Sequence, residues 1–270
     1  GSDHTQWLEL IEDLRDRYRV IAYDILGHGQ SQRDRWSDHS VEAMAQDLDD
    51  LLTLTHGRKA VVIGHSMGGM IALTWCGLNP RRVRERLAGI ILVHTTPQNP
   101  FETMWPIALN RTLLRPVFIP LLRLTTWIGP LVKVMNRLAY WNGTTDWNNN
   151  LVLFAGRETR EQLDRTSRLA TRMDPATHGR FSLALTRYDG MDALRQVTVP
   201  TLVVAADRDP VTVPGASETI ADRVRGAEMV TLAPAKHMGF MEDREVFTET
   251  VLTFARDWIE AEPHRHPEAG

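Results

Sequence analysis

Apolar positions along this chain alternate between two periods. Trp7, Leu8, Leu10, Ile11 and Leu14 follow the spacing of one helix face and predict a helix from Trp7 to Arg17. Arg19 to Tyr23 reads as a short strand that ends at Asp24 and a glycine turn, Gly27-His28-Gly29. From Val41 to Leu54, Met44, Leu48, Leu51 and Leu52 share one side while Asp47, Asp49 and Asp50 take the other, which predicts a second helix. Ala60-Val61-Val62-Ile63 is a short apolar, β-branched run of the kind found in buried strands. Met70 to Cys76 is helical in character and closes at Asn79-Pro80; Leu87 to Val93 is again a strand.

After Pro97 the pattern changes. Up to about Asp189 there are helical apolar runs, prolines and tryptophans, with no buried strand. Alternation returns with a strand from Thr198 to Ala205, a helix from Ala216 to Val224, a strand from Glu228 to Leu232 and a helix from Phe247 to Ile259. Strands alternating with helices predict a parallel sheet covered on both faces. Residues 1–96 and 191–260 are expected to form that α/β core, and 97–190 a helical insertion above it. The polar, proline-bearing end at 261–270 is expected to be a disordered tail, so His264 and His266 carry no site.

Composition narrows the function classes. A net charge of −3 gives no footprint for nucleic acid. The most apolar stretch, Leu113 to Met135, is interrupted by Arg115, Pro116, Pro120, Arg123, Pro130 and Lys133, so no integral membrane segment is expected. Cys76 is the single cysteine, which excludes an internal disulfide; with no signal-peptide pattern, a cytoplasmic setting is expected. No histidine–carboxylate cluster has metal-site spacing, so neither metal nor cofactor is expected.

The chemistry concentrates at Gly64-His65-Ser66-Met67-Gly68, a G-x-S-x-G pattern between the Ala60 strand and the Met70 helix. A serine on such a strand-to-helix turn is a nucleophile elbow, and side chains at Gly64 or Gly68 are expected to collide there. A serine hydroxyl needs a base to take its proton and an acid to orient the base. Ala206-Asp207-Arg208-Asp209-Pro210 follows one later strand and offers two carboxylates; Lys236-His237-Met238 follows the next and offers a histidine. His28 and His65 are expected to have local or packing roles, and His94 a structural role near the pocket.

Taken together, Tyr23-Asp24 with Gly27-His28-Gly29-Gln30-Ser31, the Gly64–Gly69 stretch, Asp209-Pro210 with Val213-Pro214, and His237-Met238 with Glu242-Asp243 resemble the α/β-hydrolase superfamily of serine hydrolases. The resemblance implies an α/β-hydrolase fold with a helical lid insertion. It also implies Ser66 as nucleophile, Asp209 rather than Asp207 as acid, His237 as base and the Met67 N–H as an oxyanion donor. Relatives take a second donor from a loop following His-Gly. Here Gly1 to Trp7 resembles only the end of that loop, and the apolar strand before it is absent. In relatives that strand lies between those corresponding to Arg19–Tyr23 and Ala60–Ile63, so the sheet is expected to lack its first strands.

The insertion is rich in apolar side chains, and Trp105, Trp127 and Trp141, with Met238, are expected to line a mostly apolar pocket. The expected substrate is a small hydrophobic carboxylic ester or lactone. C–C bond hydrolysis and perhydrolysis on the same residues, or ligand binding without turnover, are the alternatives.

Overall fold

A computed structural model describes residues 2–31 and 38–260. The expected tail at 261–270 lies outside the described residues. Four strands, β1 (Ala60–His65), β2 (Leu87–Val93), β3 (Thr201–Ala206) and β4 (Glu228–Leu232), form one parallel sheet in the order β1-β2-β3-β4. Ile63 pairs with Ile91, Leu92 with Val203, and Ala205 with Thr231. The near-continuous Val/Ile/Leu content of β2 and β3 follows from burial on both faces.

Alternation along β2 divides the core in two. Ile90 and Leu92 join a cluster with Met44 and Leu48 of α2 (Val41–Leu52) and Ile71 and Trp75 of α3 (Met67–Leu78). Ile91 and Val93 join Leu10 and Leu14 of α1 (Leu8–Leu14) and, from the C-terminal helix Arg244–Ala255, Phe247, Val251 and Phe254. The start of α2 is set by Ser40, whose hydroxyl accepts from the Ala43 N–H at 3.2 Å.

Between β2 and β3 the chain is helical: α4 (Ile107–Leu113), α5 (Ile119–Trp127), α6 (Gly129–Trp141), α7 (Thr144–Leu153), α8 (Arg160–Arg172) and α9 (Pro175–Leu185). A capping box of Thr159 and Gln162 starts α8; the Asp174 carboxylate and Pro175 start α9. An isolated antiparallel bridge between Gln98 and Asp189 joins the two ends of this segment. α10 (Pro214–Arg223) and α11 (Arg244–Ala255) complete the alternation.

Several expected boundaries shift, and the helix expected from Trp7 to Arg17 is α-helical only from Leu8 to Leu14. The strand expected from Thr198 begins at Thr201, after Pro200, which has no N–H to give a ladder. The final helix begins at Arg244 and ends at Ala255, continuing as a wider turn to Glu260.

One expected element does not form. Arg19 to Tyr23 pairs with no strand among the described residues. A ladder needs a neighbour about 4.8 Å away. Here a cavity of about 1320 Å³ is lined by Arg19 to Tyr23 on one side and Ala60 to Ile63 of β1 on the other. A central strand is expected at this position, and none is present there among the described residues.

Candidate active site

Ser66 sits between β1 and α3 at φ 53° and ψ −118°, a region L-residues rarely occupy. The turn is held from several sides. The Ser66 N–H donates to the Val93 carbonyl at 3.0 Å, and the Ser66 carbonyl accepts from the Gly69 N–H at 3.0 Å and the Thr95 hydroxyl at 2.7 Å. A Cβ at Gly64 would lie 2.6 Å from the Gly68 backbone, so strand and helix can meet only over a glycine. Gly68 itself has open space; the second close approach is at Gly69, where a Cβ would lie 2.6 Å from the Thr95 hydroxyl oxygen. The expectation of a clash at Gly68 is thus corrected to Gly69, because Thr95, two residues past the end of β2, packs against the turn. Gly64→Ala is therefore expected to cost about 1–3 kcal/mol as overpacking, while Gly68→Ala, on α3, is neutral or slightly stabilising. Urea denaturation of the two variants checks this.

Asp209 follows β3, His237 follows β4, and Ser66 follows β1, so all three converge at the carboxyl ends of the parallel strands. His237 Nε2 lies 3.0 Å from Ser66 Oγ, and His237 Nδ1 lies 2.8 Å from Asp209 Oδ2. Asp209 is 2% exposed. Its carboxylate also accepts from the Val211 N–H at 2.8 Å, the Thr212 N–H at 3.1 Å and the Thr212 hydroxyl at 2.8 Å. Burial alone would raise this carboxyl. The adjacent His237 imidazole and the hydrogen bonds outweigh it and hold the group at about 2. A carboxylate accepting at Nδ1 fixes the tautomer that leaves Nε2 free to take a proton.

Asp207, the other carboxylate of this loop, is engaged elsewhere. Its Oδ1 accepts from the Ala235 N–H at 2.7 Å and its Oδ2 lies 3.3 Å from Arg208. It ties the β3 loop to the loop carrying His237.

Two further histidines do more than the packing and structural roles expected of them. His65 Nε2 and His94 Nδ1 both donate to the His237 carbonyl, at 2.9 and 3.0 Å. A carbonyl can only accept, so each ring carries its proton on that nitrogen. Desolvation holds His94 at about 4 and His65 well below the usual histidine range, keeping both neutral. The local signal was adjacency: His65 precedes Ser66, and His94 ends the neighbouring strand. Their shared target, 143 or more residues away, has no sequence signature.

The cavity beside β1 reaches Ser66, Met67, His237 and Met238, and from the helical segment Leu122, Thr125, Val132 and Asn136. As first residue of α3, Met67 has an N–H with no acceptor inside its helix. Trp105, Trp127 and Trp141 are not among the lining residues; they are 69, 86 and 87% exposed. Trp105 lies on the non-helical turn before α4, its N–H donating to the Pro210 carbonyl at 2.8 Å, and the expected place of Trp127 and Trp141 in the pocket is corrected by helix geometry. At about 100° per residue, Trp141 falls opposite Val132 on α6, and Trp127 falls well away from Leu122 on α5. Asp3, His4 and Asp24 bring ligand-type atoms within 4.8 Å of one another. These atoms knit the N-terminus to the glycine turn: Asp24 accepts from the His4 N–H at 2.7 Å and the Gln30 N–H at 2.8 Å, and Asp3 accepts from the Thr5 N–H at 3.0 Å.

A parallel sheet, a strained serine elbow and a buried Asp–His pair define an α/β-hydrolase, and the family model for the alpha/beta hydrolase fold matches residues 1–244. The chain belongs to that family and is a hydrolase. It is 28% identical over 247 residues to a putative carbamate hydrolase, RutD, of Stutzerimonas stutzeri, covering 91% of this chain and 84% of the relative. It is 24% identical to 3-oxoadipate enol-lactonase 1 of Acinetobacter baylyi, covering 95% and 85%. Among solved structures, a thermophilic esterase from Thermogutta terrifontis superposes with a TM-score of 0.70 at 26% identity, covering 94% of this chain and 86% of that one.

Proposed function

We propose that this protein hydrolyses a small hydrophobic carboxylic ester or lactone through an acyl-enzyme on Ser66. The observation that carries the reading is the continuous contact line Asp209–His237–Ser66, at 2.8 and 3.0 Å, ending on a serine held at positive φ. His237 Nε2 takes the hydroxyl proton as Ser66 Oγ attacks the carbonyl, and Asp209 stabilises the imidazolium. The Met67 N–H donates to the oxyanion that forms. Collapse of the tetrahedral adduct expels the alkoxide, which takes the proton from His237. Water, deprotonated by the same imidazole, then releases the acid. The mostly aliphatic lining contributed by Leu122, Val132 and Met238 favours an apolar acyl or alkyl group, and the helical segment acts as the lid. Esterase and enol-lactonase relatives support the reaction class.

Intact-mass labelling with a fluorophosphonate tests this directly. A single adduct on the full chain, absent in Ser66→Ala, is the expected result; no adduct on the parent chain would refute an activated nucleophile.

The two carboxylates separate in the same assay. Asp209→Asn is expected to lower kcat/KM for a p-nitrophenyl ester by about 10³–10⁴, because it offers Nδ1 the wrong partner. Asp207→Asn keeps an acceptor for the Ala235 N–H and loses only a half-exposed ion pair, so a change within a few-fold is expected. The reverse ranking would reassign the acid.

A further inference from the structure

Apolar exposure on this molecule is concentrated. Of the twenty exposed large apolar side chains among the described residues, fourteen lie between Trp105 and Leu151. Monomeric surfaces seldom gather apolar groups this way without a partner. α6 shows the cause most clearly. Leu131, Val134, Met135, Leu138 and Trp141 recur at i, i+3, i+4, i+7 and i+10, the spacing of a helix face that packs on a core. Each of them is more than half exposed. The core-facing side of the same helix is instead the one bearing Val132 and Asn136, which line the cavity. α6 is apolar toward water.

Charge says what covers this face. Between Glu102 and Asp146 the sequence contains no aspartate or glutamate, yet it carries Arg111, Arg115, Arg123, Lys133 and Arg137. The whole chain has a net charge of −3, so this segment is a cationic island on an acidic protein. We propose that the outer face of α5 and α6 docks on an anionic lipid bilayer surface. Apolar side chains flanked by arginine and lysine, with tryptophans at the edges, match the interface between headgroups and acyl chains. The four basic groups Arg111, Arg115, Arg123 and Arg137 are themselves exposed and can reach lipid phosphates.

The geometry fits a helix pair lying in the interface. Among the described residues no single helix is long and apolar enough to cross a membrane, and the two halves of this segment meet at 98°. A second copy of the chain fits the face poorly. A two-fold contact would set the same cations against one another. The docking surface lies on the opposite side of α5 and α6 from Ser66, so its test does not depend on the reaction proposed above.

Sedimentation of the full chain with vesicles tests the proposal. Binding is expected to vesicles of phosphatidylcholine with about one-third phosphatidylglycerol, with a blue shift of tryptophan emission. Affinity should fall at least about tenfold for pure phosphatidylcholine and again at high salt. A Trp127→Ser, Trp141→Ser variant and, separately, an Arg123→Gln, Arg137→Gln variant should each weaken binding to anionic vesicles about tenfold while keeping the parent circular dichroism and melting temperature. Absence of binding, or binding indifferent to both variants and to lipid charge, overturns the proposal. So does sedimentation-velocity evidence of a dimer abolished by the tryptophan variant, which would assign the face to a second copy.

Discussion

Ser66→Ala is expected to lower kcat/KM for an activated ester by about 10⁴–10⁶, with His237→Ala close behind and the double variant no worse than either single one. The reason, in the proposed mechanism, is that Ser66 and His237 act as one unit. At 3.0 Å from Nε2, Ser66 Oγ has an acceptor for its proton only while the imidazole is held by Asp209, and removing either partner removes the step. The residual rate reflects what the oxyanion donor and the apolar cavity supply alone. Both variants should melt near the parent temperature, since neither deletes core packing. Steady-state kinetics on a p-nitrophenyl ester decide the matter. Additive losses in the double variant would mean that Ser66 and His237 do not work together, and a Ser66→Ala variant with near-parent turnover would end the acyl-enzyme reading.

The second large effect concerns acid. His28, His65 and His94 are all buried, and burial holds His28 and His94 at about 4 and His65 well below the usual range. Their folded-state values are depressed below the unfolded reference of about 6.5. As pH falls below 6.5 the unfolded chain therefore takes up protons that the folded chain refuses, and stability falls with pH. His28 and His94 each cost the fold on the order of 1 kcal/mol per pH unit between 6.5 and about 4, and His65 acts in the same direction. For three of them, about one pH unit consumes a large part of the 5–15 kcal/mol typical of a domain. Asp209 adds a lower window: its depressed carboxyl stabilises above about 3.8 and loses that contribution as pH falls toward 2. Urea midpoints are expected to be level above pH 7.5 and to drop steeply between 6.5 and 5. His28 packs against Phe181 with ring centroids 5.1 Å apart, so a His28→Asn variant should shallow the slope by about one proton. A midpoint unchanged from pH 7.5 to 5 would show that these rings are protonated in the fold.

Much of the chemistry was legible along the chain because its determinants are local. β-branched residues from Ala60 to Ile63, a glycine where strand and helix touch, and a serine between them specify the elbow within ten residues. Asp209 and His237 each follow a strand, so a parallel sheet necessarily brings them to the edge that carries Ser66. Local reading failed where a partner lay far away. Arg19 to Tyr23 has strand composition, but pairing is a property of two segments, and a cavity stands where the neighbour would be. Gly68 and Gly69 are equivalent on paper; Thr95, from the loop after β2, makes only Gly69 a close approach.

The helical segment shows the same division most clearly. Its composition announced helices and apolar side chains, but α6 is apolar on two sides, so period alone left its inward face open. Packing turned Val132 and Asn136 toward the cavity and left Trp127 and Trp141 outside. The amino-acid order by itself determined the fold family and the chain order of Ser66, Asp209 and His237, because each rests on short-range pattern and on the polarity of parallel strands. Tertiary structure alone decided which glycine is crowded, which tryptophans meet water, and that His65 and His94 both hold the His237 carbonyl. Those outcomes depend on contacts between elements distant in sequence, whose geometry only the packed chain supplies.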